Sequence, residues 1–127
     1  MKKHNLNLIS KKYSEKELES NVIFFNISDW RGISAYQKLS ELFIDKYSDI
    51  IHWYYISYCQ NLSEKFIEKH SDKVFWKEIS SNQKLSEKFI RKHIDKIDIN
   101  CLIYNMKISQ KLRLKIKKEI KLLKEII

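Results

Sequence analysis

The sequence predicts an all-α protein: a small α-solenoid of paired short helices, closed by a longer amphipathic C-terminal capping helix. Three observations predict it. Trp30, Trp53, Trp76 and Ile99 stand 23 residues apart, and further columns keep the same step. A fixed period of this length marks a stack of like units. The 127 residues include one Gly and no Pro, whereas the tight turns of a sheet protein draw heavily on both. Within each period the apolar residues fall three and four apart, the spacing of one helix face.

The columns define the units. Ile33, Ile56, Ile79 and Leu102 align, as do Leu39, Leu62, Leu85 and Ile108, and Phe43, Phe66, Phe89 and Leu112. Polar columns are as regular: Ser34, Ser57 and Ser80; Gln37, Gln60 and Gln83; Ser40, Ser63, Ser86 and Ser109. The chain reads as one domain, 1–127. It has a degenerate N-terminal unit (1–28), full repeats at 29–51, 52–74 and 75–97, and a divergent repeat with the C-terminal helix (98–127).

Residues 1–10 are basic and read either as an arm or as a first short helix. They lack the apolar run of a signal peptide, and no stretch is long enough to span a bilayer. Tyr13, Ser14 and Leu18 carry a staple and a cap, so a helix is expected to start at Ser14. Val22–Phe25 then lead to Asp29, the expected cap of the Trp30 helix. Each full unit carries two helices, the first running from about Trp53 to Tyr58 in the clearest copy. The second begins at a Ser whose hydroxyl can accept from a free backbone N–H of the first turn. Leu62 and Ile67 are placed as a hydrophobic staple around that cap. Helices of about eight residues do not persist alone, so the Trp, Ile, Leu and Phe columns are expected to form a shared core. In the last unit Ile108, Leu112, Ile116, Ile120, Leu123 and Ile127 form one apolar stripe, as a capping helix requires.

Net charge is +9, distributed as +2, −1, 0, +3 and +5 over the five segments in order. Lys46, Lys69, Lys92 and Lys115 form one column, and Lys65, Lys88 and Lys111 stand four residues earlier on the same helix face. In the early units Glu41 and Asp45, then Glu64 and Glu68, flank this ladder; Arg91, and then Gln110 and Leu114, replace those acids later. Lysines at helix C-termini also complement the helix dipole, so the ladder reads either as a solvated face or as a basic stripe. The local excess selects Lys88, Arg91, Lys92, Lys111, Arg113, Lys115, Lys117, Lys118, Lys121 and Lys124 as candidate contacts for nucleic acid or an acidic protein. Tyr54, Tyr55 and Tyr58 occupy columns that hold Arg, Gly, Lys, Glu, Ala or Ser in other units. They read as an exposed aromatic contact surface or as rings partly covered by a neighbouring unit.

No catalytic constellation emerges. His70 and His93 share a column with Tyr47 and read as packed helix-end rings. Cys59 and Cys101 lie at non-equivalent positions and read as free thiols of a reducing cytoplasm. No zinc spacing and no Gly-rich phosphate loop occur. No cofactor, metal or enzyme activity is expected.

The unit W-x-x-I-S-x-x-Q-K-L-S-E-x-F-I-x-K-H-x-D-K-V resembles short helical repeats in proteins of giant viruses and bacteriophages. The match covers 29–97 well and 98–127 loosely. This resemblance implies a viral setting, in which a small basic protein without an active site is similar to host-defence inhibitors of the anti-CRISPR kind. The expected activity is non-enzymatic binding, in the cytoplasm of a host cell, to a nucleic-acid-handling protein, a ribonucleoprotein or its RNA, with no membrane involvement. A protein–protein repeat module is the alternative. So is self-assembly, from a monomer to a weak homodimer, through Leu114, Leu122 and Ile126, which lie off the main stripe of the last helix.

Overall fold

The computed structural model describes the backbone of residues 4–126 and the side chains of 4–122. Among these the chain is all helical, with no strand. It divides into two compact units, Met1–Leu62 and Ser63–Ile127. Within each, helix pairs pack in series in the manner of a small solenoid.

The N-terminal unit carries α1 (Glu15–Glu19), one 3₁₀ turn (Val22–Phe24), α2 (Ile27–Tyr36), α3 (Glu41–Lys46) and α4 (Trp53–Cys59). Ser14 and Glu17 form a full capping box on α1. The cap of α2 is Asn26, and Asp29 is its reciprocal partner three residues in: Asp29 N–H donates to Asn26 Oδ1 at 2.8 Å, and Asn26 N–H donates to Asp29 Oδ2 at 2.9 Å. The expectation that Asp29 caps this helix is therefore corrected. The 3₁₀ turn ends at Phe24, two residues before Asn26, which leaves Asn26 in the extended conformation a cap needs. Residues 4–11 form no helix. Helix α2 packs on α4, and the core holds Leu18, Trp30, Ile33, Phe43, Ile44 and Ile56.

The C-terminal unit carries α5 (Glu64–Lys69), α6 (Trp76–Asn82), α7 (Glu87–Lys92), α8 (Ile99–Leu102) and α9 (Gln110–Ile126). Helix α6 packs on α8. Ile67, Ile79, Phe89, Ile90, Leu102, Ile108 and Ile116 are buried, so the α9 stripe faces the core as expected through Ile116. The side chains of Leu123 and Ile127 lie outside the described residues.

The four expected serine caps are present: Ser40, Ser63, Ser86 and Ser109 accept from Phe43, Phe66, Phe89 and Leu112 N–H at 3.1–3.2 Å. First helices end on an extended residue (Gln37, Gln60 or Gln83) and second helices on a ring residue near φ −110° (Tyr47, His70 or His93). No described residue has positive φ. The corners need no left-handed residue, which is why one glycine suffices.

The Trp column is less uniform than its regular spacing implies. Trp30 is 2 % exposed, whereas Trp53 and Trp76 are half-buried at the surface. The indole N–H of Trp53 donates to Ser48 O and that of Trp76 to Ser71 O, at 2.9 and 3.0 Å. Trp30 Nε1 has no hydrogen-bond partner among the described residues. Its ring packs edge to face on Phe25, with centroids 5.6 Å apart.

Candidate binding surface

The polar columns of the repeat build the joints between helix pairs. Gln60 is buried; its Nε2 donates to Ser34 O at 2.9 Å and to Gln37 O at 2.6 Å, and its Oε1 accepts from Leu39 N–H at 3.2 Å. Ser34 Oγ donates to Trp30 O and accepts from His52 N–H. Ser80 Oγ does the same with Trp76 O and Asp98 N–H in the C-terminal unit. The glutamate after each serine cap is also structural where it is seen to act. Glu15 accepts from Ser40 N–H at 2.5 Å, and Glu64 from Ser86 N–H at 2.6 Å. The serine and glutamine columns are regular because buried backbone groups need partners.

The last joint departs from the sequence column. Counting 23 residues from Gln83 gives Met106, which is exposed. Asn105 does the work instead: fully buried, its Nδ2 donates to Ser80 O and Gln83 O, both at 2.8 Å. Helix α8 is only four residues long, so the chain turns early, and a shorter amide one residue sooner reaches the same two carbonyls.

Arg113, expected among the contact residues, closes the stack. Its Nη1 donates to Ile103 O at 2.7 Å and its Nε to Ile108 O at 3.1 Å. Ile103 stands in the column of Ser34, Ser57 and Ser80. The guanidinium therefore takes the carbonyl that the glutamine of a further unit would take, and it is half-buried in doing so.

Three other candidates are held by acids on a neighbouring second helix or within their own. Lys92 pairs with Glu68 at 3.1 Å, and Lys115 with Glu87 at 3.0 Å. Arg91 pairs with Glu87 at 2.9 Å and Glu119 at 2.8 Å. Lys46 pairs with Glu19 in the N-terminal unit at 3.3 Å. The hydrogen bond from Lys115, then that from Arg91, holds the Glu87 carboxyl below the usual range. Arg91 does the same to Glu119, while His93 and then Lys92 lower Glu68. These pairs are solvent-exposed and screened, so each adds little to stability. Their effect on the surface is to neutralise much of the ladder.

Lys88, Lys111, Lys117, Lys118 and Lys121 remain: each is exposed and has no acid partner among the described residues. The side chain of Lys124 lies outside the described residues. On α9, Lys111, Leu114, Lys118 and Lys121 follow one another at three- and four-residue steps, with Lys117 and Leu122 beside them. They share the face opposite buried Ile116. Leu114 is 53 % and Leu122 49 % exposed, which gives this basic face an apolar component. Ile126, the third residue expected off the main stripe, lies outside the described side chains.

The tyrosines form one cluster on α4. Tyr54 stacks on Tyr58 (6.2 Å, 23°) and meets Tyr55 edge-on at 5.2 Å, while His52 lies 4.7 Å from Tyr55. Only Tyr58 is exposed; Tyr54 and Tyr55 are half-buried. The Tyr/His column packs as expected. Tyr47 lies on Phe43 and Trp30, His70 on Phe66, and His93 on Phe89 and Trp76. His93 also bonds Glu68 at 2.9 Å, a partner 25 residues away that no local pattern reveals.

No family model matches the sequence, and no curated protein or solved structure similar to it was found. Among the described residues no three His, Cys, Asp or Glu side chains gather to hold a metal ion, and no helix is long and apolar enough to cross a membrane. Both cysteines are free. Cys59 is a surface residue, yet partial desolvation pushes its thiol up, opposite to the shift an activated nucleophile needs.

Proposed function

We propose that the protein is a non-enzymatic binding module that docks the outer face of α9 on an anionic, nucleic-acid-bearing partner. The observation that carries this reading is the set of four lysines, Lys111, Lys117, Lys118 and Lys121, gathered on α9 without acid partners among the described residues while Arg91, Lys92 and Lys115 are paired. Unpaired surface cations concentrate the field that attracts polyanions. The likeness of the repeat to those of bacteriophage and giant-virus proteins supports an inhibitor of a host defence system, of the anti-CRISPR kind. Its target would be a nucleic-acid-handling protein, or the RNA that protein carries.

The test is capture from host extract with and without RNase, beside direct RNA binding across a salt series. Four lysine–phosphate pairs on a single strand give a log–log salt slope of about −3, and removing any one of these lysines makes it shallower by about 0.7. Reversing Lys117, Lys118 and Lys121 to Glu is expected to abolish binding with helical content unchanged. Unchanged affinity refutes the reading. A second reading, docking on an acidic protein surface, is favoured by exposed Leu114 and Leu122. There, capture survives RNase and weakens when both leucines become Ser. Light scattering across concentration separates either from self-assembly through the same leucines.

A further inference from the structure

The one glycine of the chain opens a second surface. Gly32 lies in the middle of α2, where glycine costs about 1 kcal/mol relative to Ala. Its column holds Tyr55 and Glu78 in later units. A Cβ at position 32 would lie 3.5 Å from Leu8 Cβ, so anything longer would meet the N-terminal segment. That segment is fastened where it lies. Gln37 Nε2 donates to Leu8 O and Lys11 O, both at 2.7 Å, Asn7 N–H donates to Tyr13 Oη at 2.8 Å, and His4 Nε2 lies 2.9 Å from Asp29 Oδ2.

Between this segment, α2 and Tyr55 of α4 runs a groove of about 520 Å³, within the range of small-ligand clefts. Its lining includes Asn5, Ser28, Arg31, Tyr36 and Tyr55. Arg31 is exposed and has no acid partner among the described residues. Asp29, the one acid in the lining, is engaged by His4 and by Asn26 N–H. Tyr36 is 49 % exposed, and Lys12 Nζ donates to its carbonyl. Tyr55 is held by His52 at 4.7 Å and Tyr54 at 5.2 Å. Arg31 and Tyr36 are five residues apart, a rise of about 7.5 Å along the helix, and both line the groove.

We propose that this groove binds one nucleotide of a single-stranded nucleic acid. The base lies against Tyr36 and Tyr55, the phosphate meets Arg31, and the Asn5 amide contacts the base edge. The class follows from the lining. Aromatic faces with a guanidinium and a side-chain amide are the means by which proteins take unstacked bases. An acidic peptide would engage Arg31 and leave both rings unused. The site lies wholly within the N-terminal unit and shares no residue with the α9 face, so it extends the reading above without depending on it.

The experiment titrates the full-length protein with AMP, CMP, GMP and UMP, followed by amide NMR shifts at Arg31, Gly32 and Tyr36. Ribose 5-phosphate, inorganic phosphate and a tetra-aspartate peptide serve as competitors. At least one nucleotide is expected to saturate these shifts with Kd of about 1 mM or below, and ribose 5-phosphate to bind at least about tenfold more weakly because it lacks the stacked base. Tyr36→Ala is expected to weaken binding about tenfold or more, Tyr36→Phe to retain it, and Arg31→Ala to weaken nucleotide and ribose 5-phosphate alike. The Lys117, Lys118 and Lys121 reversal leaves nucleotide binding unchanged. Absence of shifts at about 10 mM, equal binding of phosphate and nucleotide, preference for the peptide, or indifference to Tyr36→Ala each overturn the proposal.

Discussion

Gln37→Leu tests whether the glutamine column holds the stack together. Gln37 is 2 % exposed and makes three hydrogen bonds to backbone: two donations at 2.7 Å, to Leu8 O and Lys11 O, and one acceptance at 3.0 Å from Tyr13 N–H. Leucine keeps roughly the volume and adds apolar packing, so cavity formation is small and the polar effect is isolated. Each neutral bond contributes about 1 kcal/mol net, and a buried group left without a partner costs about 1–3 kcal/mol. Lys11 is exposed and its carbonyl can regain water; Leu8 is buried and its carbonyl cannot. The expected destabilisation is therefore about 2–4 kcal/mol. Urea unfolding followed by far-UV circular dichroism measures it. Hydrogen exchange over residues 8–13 locates it, because that segment is released from its anchor first. Lys38→Leu, at the next and exposed position, is the control. A destabilisation below about 1 kcal/mol, or unchanged exchange over residues 8–13, would refute the structural role given to the column.

Other expectations follow from the same geometry. Gly32→Ala places its Cβ at ordinary contact distance from Leu8 and is expected to raise stability by about 0.5–1 kcal/mol in urea unfolding. Gly32→Tyr is expected to expose residues 4–11 to exchange. Arg113→Met is expected to increase exchange at the α8–α9 corner and to leave the salt slope of RNA binding unchanged, whereas Lys118→Met lowers that slope and leaves exchange alone. Glu68, Glu87 and Glu119 are held below the usual carboxylate range by their cationic partners. A depressed carboxylate contributes stability that is present above its unfolded pKa and is lost as pH falls through the folded one. Urea midpoints are thus expected to hold from neutral pH down to about pH 4.5 and to fall below it. The triple Gln variant is expected to show a shallower fall, and an equally steep fall in that variant would refute the assignment.

Much of the fold is legible in the sequence because its determinants are local or periodic. The serine caps act within three residues, the Phe and Ile columns sit at helical spacing, and corners without positive φ match a chain with one glycine. The α9 face is legible as an excess of lysine. Which lysines stand unpaired is not, because Arg91, Lys92 and Lys115 find acids between 24 and 28 residues away on neighbouring helices, or four away on their own. Tyr54 and Tyr55 lie deeper than column variability implies, because the three rings and His52 pack on one another.

The repeating unit is written in the sequence: a 23-residue step, two short helices per step, their caps and their apolar faces. Period and capping are properties of a few neighbouring residues, so no distant partner can change them cheaply. The joints at the first and last units are set by the packed fold. Residues 7–11 offer two carbonyls to Gln37, Asn105 supplies an amide one position before Met106 of the column, and Arg113 takes the carbonyl of Ile103. Each answers the same demand, that a buried polar group find a partner. Each is met by whichever side chain the fold brings within reach, and sequence spacing alone cannot state that reach.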